Sequence, residues 1–205
     1  MLKKHATKIV GGLSSPGKMP CRSYGISAKK CNIGSKLRTV KGSTCSTCYA
    51  LKGQYVFANV AAAHARRLES FNDPQWVDAM VTLIDGMPYF RWHDSGDIQS
   101  LHHLCMIVDV CKRTPNTRHW LPTREKQVLA QYARTFGALP SNLVARVSAA
   151  MIDGAPPSAH AHTSTVHKTR DAIGQGCPAY TQDGFCGDCR ACWDADVPNV
   201  SYPLH

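Results

Sequence analysis

The stretch that decides the fold is residues 88–150, PYFRWHDSGDIQSLHHLCMIVDVCKRTPNTRHWLPTREKQVLAQYARTFGALPSNLVARVSAA. Three short segments rich in aromatic and β-branched residues alternate here with two longer segments of helical periodicity. The predicted strands are 88–94, 117–123 and 142–150, and the predicted helices are about 98–112 and 123–136. Strands that alternate with helices pair in parallel through right-handed crossovers. The stretch therefore predicts an α/β fold, a partial or complete TIM-like barrel.

Upstream of this stretch, the sequence predicts two more helices. One covers residues 55–70, and the other begins near Asp73 and Pro74 and ends at Gly86. A chain of 205 residues is long enough for one domain with its own core. We expect a single domain with a basic Cys-containing segment (1–54), βα repeats (55–155) and a Cys-rich metal-binding segment (156–205).

Each predicted strand ends in polar residues. His93, Asp94 and Asp97 follow the first strand, and Arg124 follows the second. Active sites on parallel sheets lie at the carboxyl ends of the strands, so these four residues are candidate catalytic residues. A histidine beside a carboxylate is suited to acid–base work, and an arginine binds anions. Two other interpretations are open: loops are polar in any case, and Asp97 could cap a helix beginning at Ile98.

Four of the ten cysteines lie in CPAYTQDGFCGDCRAC, residues 177–192. Cys186, Cys189 and Cys192 form a C-x2-C-x2-C run, and Cys177 precedes them. Zinc usually takes two pairs of ligands that are further apart, whereas three thiolates in seven residues are typical of a [4Fe–4S] cluster. We expect these four cysteines to hold a [4Fe–4S] cluster, with zinc as the alternative.

A second set of cysteines lies near the N-terminus. Cys45 and Cys48 form a C-x2-C pair, and Cys31 lies upstream in a Gly/Ser/Lys-rich segment. These three are secondary candidate metal ligands, for an open-site cluster, for a site shared with the C-terminal set, or for a site whose fourth ligand lies elsewhere in the chain. A turn with two partly buried thiols is the alternative. Cys105 and Cys111 follow a helical pattern and are expected to pack in the core.

The positive charge is concentrated at the start of the chain. The first 68 residues carry 13 Lys and Arg and no Asp or Glu, within a net charge of +10 for the whole chain. Such asymmetry favours a polyanionic partner or a solvated basic face. We therefore keep nucleic acid or a host protein as partners of the basic N-terminal third. The oligomeric state stays open.

The N-terminal residues contain no apolar run of signal-peptide length, and no apolar stretch is long enough to span a membrane, so we expect neither a secretory signal nor a membrane span. We expect it to act in the cytoplasm, where disulfides do not persist. That compartment favours metal binding over disulfides for the clustered cysteines.

Several blocks of the sequence resemble a small family of phage proteins. The blocks are GSTCSTCYALKGQY, YFRWHDSGDIQS, HWLPTRE, HTSTVH and CGDCRACW followed by NVSYPLH, and the family is named after a mycobacteriophage gene product, number eighty-eight. The resemblance covers nearly the whole chain, from about Pro20 to the C-terminus. It implies a phage-encoded protein that acts in the cytoplasm of the bacterial host, and it implies no particular activity.

A more distant resemblance is to radical S-adenosylmethionine enzymes, which carry three cysteines before a helix in a partial barrel. Cys45, Cys48 and Tyr49 before a helix are similar to the last part of their motif. The usual C-x3-C-x2-C spacing is absent because Cys31 lies far upstream, which argues against S-adenosylmethionine as a cofactor.

Two functions follow as hypotheses. The first is a phage [4Fe–4S] protein on a radical-enzyme-like barrel, which is either a redox or radical enzyme or a cluster protein that lacks that chemistry. The second is a zinc-stabilised basic module that binds nucleic acid or a host protein. Brown protein that contains iron would support the first hypothesis. Colourless protein that contains zinc would support the second.

Overall fold

A computed structural model describes residues 1–204, and at its centre is a seven-stranded sheet in which every pair of neighbours is parallel. The strand order is β1-β2-β3-β4-β5-β7-β6. The strands are β1 (Arg22–Tyr24), β2 (Tyr89–Trp92), β3 (Arg118–Thr123), β4 (Leu143–Ile152), β5 (Thr163–His167), β6 (Gln175–Gly176) and β7 (Asn199–Pro203). Because β1 and β6 stand at opposite ends of this order, the sheet is open. The prediction of a parallel α/β fold is confirmed, and the open sheet is consistent with a partial barrel.

Six α-helices accompany the sheet in the described residues. They are α1 (Lys3–Val10), α2 (Asn32–Leu37), α3 (Ala58–Ser70), α4 (Trp76–Ile84), α5 (Leu101–Arg113) and α6 (Lys126–Phe136). The prediction of a helix from Ile98 was wrong by one turn, because the cap is Ser100. Its hydroxyl accepts a hydrogen bond from the backbone N–H of His103 at 3.1 Å, so α5 begins at Leu101.

The hydrophobic core lies between one face of the sheet and the helices. It contains buried side chains of α1, α4, α5 and α6 packed on Phe90, Trp92 and Leu121 of the sheet. Cys111 is buried in this core and Cys105 packs against it, as predicted. Phe136 is 57% exposed at the last turn of α6. The helix ends there, and Gly137 turns the chain away with a positive φ.

The other face of the sheet carries large polar and aromatic side chains. Side chains alternate along a strand, so Trp120 and Arg146 point away from the face that holds Leu121 and Ala145. Trp193 of the C-terminal segment packs edge-on against Trp120, with ring centroids 5.2 Å apart. The C-terminal cysteine segment therefore covers part of the sheet face opposite the main core.

Candidate functional site

A cavity of about 420 Å³ opens at the carboxyl ends of the strands. The loops after three neighbouring strands and the N-terminal cysteine segment meet around it. Its lining includes all four predicted catalytic residues and three cysteines: His93, Asp94, Asp97, Arg124, Cys31, Cys45 and Cys48. The structure thus brings together the strand-end residues and the secondary cysteine set, at the edge where parallel sheets usually bind ligands.

The N-terminal cysteine segment folds over this edge so that Cys31 and Cys45 converge. Both Sγ atoms lie 3.5–3.6 Å from the position that a Cβ would occupy on Gly34. That Cβ would also stand 2.9 Å from the Cβ of Cys31, which is closer than real Cβ contacts come. A glycine at position 34 therefore leaves the space between the two thiols open.

Burial raises the pKa of the Cys31 thiol to about 12, and Asp97, Cys48 and Cys45 contribute to the increase. Burial also raises the pKa of Cys45, although nearby Arg124 opposes that increase. Partly buried thiols near one another and near carboxylates stay protonated unless a cation compensates the thiolate charge. A bound metal supplies such a charge, because ligation requires the deprotonated sulfur.

Side chains from the strand ends hold the cysteine segment in place. The Arg124 guanidinium donates to the carbonyl oxygen of Ala149 at 2.6 Å and also to the hydroxyl of Thr44. The Glu125 carboxylate accepts a hydrogen bond from the backbone N–H of Ile33 at 2.9 Å. Arg124 therefore connects the residue before Cys45 to the last part of β4. These hydrogen bonds use most of the donors of its guanidinium.

His93 and Asp94 carry polar atoms that have no partner in the described part of the chain. His93 is 3% exposed, its φ is +51°, and neither ring nitrogen has a hydrogen-bond partner. Burial lowers the pKa of His93 to about 4, so the imidazole is neutral at pH 7. One carboxylate oxygen of Asp94 is also unpartnered, while the other accepts a 3.4 Å hydrogen bond from Tyr55. Buried unpaired groups and a positive φ outside glycine are typical of functional sites.

Asp97 connects two strand ends, and it does not cap a helix. Its carboxylate accepts hydrogen bonds from the hydroxyl of Thr123 at 2.6 Å and from the backbone N–H groups of Arg124 and Ile98, both at 2.8 Å. Burial raises the pKa of Asp97 to about 6, and these hydrogen bonds oppose the increase. Asp97 therefore fixes the loop after β2 against the loop after β3, which positions the residues around the cavity.

The C-terminal cysteines form a second group. Cys186, Cys189 and Cys192 lie on successive tight turns, and Gly187 adopts a φ of +51° between the first two. Burial raises the pKa of Cys186, and the neighbouring thiols of Cys177 and Cys189 contribute to the increase. Cys177 and Cys189 are thus close enough to Cys186 to act on its thiol electrostatically.

Two contacts of this second group were not predicted. The Sγ of Cys192 lies 3.2 Å from the hydroxyl oxygen of Tyr202, and Tyr202 also lines the cavity. Burial raises the pKa of Cys21 to about 12, and the nearby Cys186 contributes to the increase. Because Cys21 is isolated in the sequence, its spacing gives no sign of this proximity.

The described residues do not form a site for a single metal ion. Within residues 1–204, no group of three or more His, Cys, Asp or Glu side chains is arranged so that it could hold one metal ion. The roles of both sets as metal ligands stay predictions.

A family model described as Gene product 88 matches residues 2–195. The chain belongs to the gene product 88 family. This confirms the phage-family resemblance of the sequence blocks over almost the whole chain. The search of curated proteins and the search of solved structures returned no match for this gene product 88 protein.

The residue that sequence reasoning missed in this gene product 88 protein is Arg91. It lies within β2 and lines the cavity. Its guanidinium stacks over Trp120, 4.4 Å from the ring centroid, and donates to the hydroxyl of Tyr49 at 3.1 Å. The alternation in YFRW could have placed Arg91 opposite Phe90 and Trp92, on the non-core face of the sheet.

The positive charges of the N-terminal third are distributed over several elements. Lys3, Lys4 and Lys8 are on α1, which packs against α4, whereas Arg67 is buried and hydrogen-bonded to the carbonyl of Gly12. Five exposed lysines belong to the segment that borders the cavity: Lys29, Lys30, Lys36, Lys41 and Lys52. No helix among the described residues is long and apolar enough to cross a membrane.

Proposed function

We propose that this phage protein is an iron–sulfur protein that carries out redox or radical chemistry on a small molecule in the strand-end cavity. In this proposal Cys31, Cys45 and Cys48 hold one cluster, which would leave an iron atom open toward the cavity. Cys177, Cys186, Cys189 and Cys192 hold a second, fully ligated [4Fe–4S] cluster. The site of action is the cytoplasm of the bacterial host.

One observation carries the proposal: the three N-terminal cysteines line the same cavity as His93 and Asp94. A cysteine pair that served only as a structural turn would have no reason to line a strand-end cavity together with these residues. The open parallel sheet supports the comparison with radical enzymes, whose cluster also lies at a barrel mouth. A cluster held by three thiolates, each on a different iron, would leave its fourth iron free to take one further ligand from the cavity.

One feature of the N-terminal set suits a cluster. Gly34 keeps the space between Cys31 and Cys45 free of side-chain atoms. Each thiolate of a cluster binds a different iron, so a cluster would need such space between the sulfurs.

Arginines would offset the negative charge that thiolate ligation creates. Arg124 lies near Cys45, and Arg146 and Arg91 lie near Cys192. Arg146 is fully buried, and the other two are half-buried. Within residues 1–204, the ion pairs within 4.0 Å all involve Arg113, so none of these three arginines has a carboxylate partner at that distance. Cations without ion-pair partners beside thiols favour an anionic metal–thiolate centre on electrostatic grounds.

A cluster bound at the cavity would supply one-electron transfer to a ligand there. The chain's own residues would orient that ligand and limit the access of water. His93 and Asp94 would form part of the cavity wall around that ligand. Asp97 and Arg124 keep the surrounding loops in position.

The N-terminal site is tested by replacing Cys31, Cys45 and Cys48 by serine together. We expect the triple variant to lose about half of the iron and acid-labile sulfide while it keeps its fold, since the second set is untouched. The measurements are metal analysis, sulfide analysis and EPR after anaerobic purification, with circular dichroism for the fold. Cys105→Ser is the matched control, because Cys105 packs against the helical core. Unchanged iron in the triple variant contradicts the assignment.

The zinc-stabilised module remains the second candidate because of one observation. Five exposed lysines and no acidic residue lie between positions 29 and 52, on the segment that contains the N-terminal cysteines. A basic surface of that kind suits a nucleic acid or an acidic host protein. Zinc in place of iron in the same metal analysis favours this alternative.

A further inference from the structure

Arg91 is a cation inside the cavity without an anionic partner. No carboxylate lies within 4.0 Å of its guanidinium, and its Nε has no hydrogen-bond partner in the described part of the chain. Apart from the hydroxyl of Tyr49, its nearest polar contact is the sulfur of Met19 at 3.3 Å, which is a weak acceptor. The carboxylate of Asp94 lines the same cavity but stands beyond ion-pair distance. The guanidinium therefore has no direct ion pair, and the Asp94 carboxylate and the Cys192 thiol act on its charge only from further away.

The guanidinium is also held rigidly. Trp120 supports one face of it, and Trp193 of the C-terminal segment packs edge-on against Trp120. Tyr49 accepts a hydrogen bond from Nη2. A planar guanidinium that is fixed in this way is preorganised for a carboxylate or phosphate group, because little side-chain entropy remains to be lost on binding.

The surroundings favour a small anion with an apolar body. Trp120, Pro122 and Val166 provide apolar lining, and the volume of about 420 Å³ is in the range of small-molecule sites. The exposed lysines of residues 29–52 lie on the segment that forms one wall, where they would raise the local concentration of anions. Arg124 contributes less to binding because Thr44 and Ala149 already occupy its guanidinium.

We propose that the cavity binds a small organic anion whose carboxylate or phosphate group is held by Arg91. The inference rests on the proposed function in one respect, namely that the cavity is the place where substrate binds. It names the class of that substrate and makes Arg91 the residue that selects it.

The test uses two probe pairs that differ in charge: adenosine monophosphate with adenosine, and 1-naphthoate with 1-naphthamide. Calorimetric titrations of the anaerobically purified protein should show that at least one anion binds tenfold or more tightly than its neutral partner. In Arg91→Met the affinity for that anion should fall about 10- to 100-fold, the loss expected for a charge-assisted bidentate contact. The affinity for the neutral partner should stay within about twofold.

Two further variants keep the test decisive. Arg91→Lys retains the positive charge but lacks the paired N–H donors of the guanidinium, so its anion affinity should fall about 5- to 20-fold. This variant tests the proposal even if the methionine variant does not fold. Arg134→Met removes an exposed charge from α6, which does not line the cavity, and should bind like the wild type. Equal binding of anions and neutral partners by the wild type overturns the inference. So does an anion preference that survives in Arg91→Met, or the absence of binding by all four probes at millimolar concentration.

Iron content, measured on the same samples, separates this inference from the proposed function. Anion selectivity that depends on Arg91 in a protein without iron leaves the inference standing and contradicts the iron–sulfur assignment. Full iron content without anion selectivity contradicts the inference alone.

Discussion

Replacing Cys186 by alanine is expected to remove the iron of the C-terminal site and to destabilise the whole protein. The binding free energy of a structural metal is folding free energy. We expect a loss of about 4 kcal/mol or more in the free energy of unfolding and a decrease of roughly 10 °C in Tm. Iron analysis and a thermal melt monitored by circular dichroism measure both effects. Cys189→Ala and Cys192→Ala should behave in the same way.

Cys105→Ser again serves as the control, because it alters a thiol that is remote from the C-terminal turns and should leave the iron content unchanged. If the three alanine variants all retain full iron and the wild-type Tm, the C-terminal cysteines are not ligands. Loss of zinc in place of iron would instead support the alternative module.

Arg146→Met is expected to destabilise the fold by about 3–5 kcal/mol, which corresponds to a decrease in Tm of roughly 10 °C. Arg146 is completely buried in β4 and has no carboxylate partner within 4.0 Å among the described residues. It donates to six backbone carbonyls, those of Thr163, Ala191, Cys192, Asp194, Val197 and Pro198. Methionine fills a similar volume but leaves these carbonyls unsatisfied, so the segment that carries Cys192 loses its anchor.

Denaturant unfolding of the variant and of Arg118→Met measures this effect. Arg118 is exposed at the start of the neighbouring strand β3, so its replacement should change stability by less than about 0.5 kcal/mol. A similar small change in Arg146→Met would mean that solvent replaces the six hydrogen bonds at no cost. In that case the six contacts of Arg146 would not stabilise the position of Cys192.

The alternation of strands and helices was readable from the sequence because it depends on local patterns. Strands β2, β3 and β4 and helices α3 to α6 match their predicted positions closely, apart from the start of α5. Strand β1 and strands β5 to β7 were missed. They are short, or they lie in segments that read as polar loops, and their pairing with distant strands is what stabilises them.

The candidate site was predictable in part, for a physical reason. The carboxyl ends of parallel strands meet at one edge, so the order of predicted elements is enough to place His93, Asp94, Asp97 and Arg124 there. The position of Cys31, Cys45 and Cys48 over the same edge depends on long-range contacts of Glu125 and Arg124 with the N-terminal segment. Arg91 was missed because one arginine in an aromatic strand carries no motif.

The most direct test of the account is the metal and sulfide content of the anaerobically purified wild-type protein, together with its EPR spectrum after reduction. The account predicts a brown protein with about eight iron atoms and about eight acid-labile sulfides per chain, as expected for two [4Fe–4S] clusters. The reduced protein should show the EPR signals of two distinct clusters. A colourless protein that contains zinc or no metal, and that takes up no iron on reconstitution with iron and sulfide, would contradict the account.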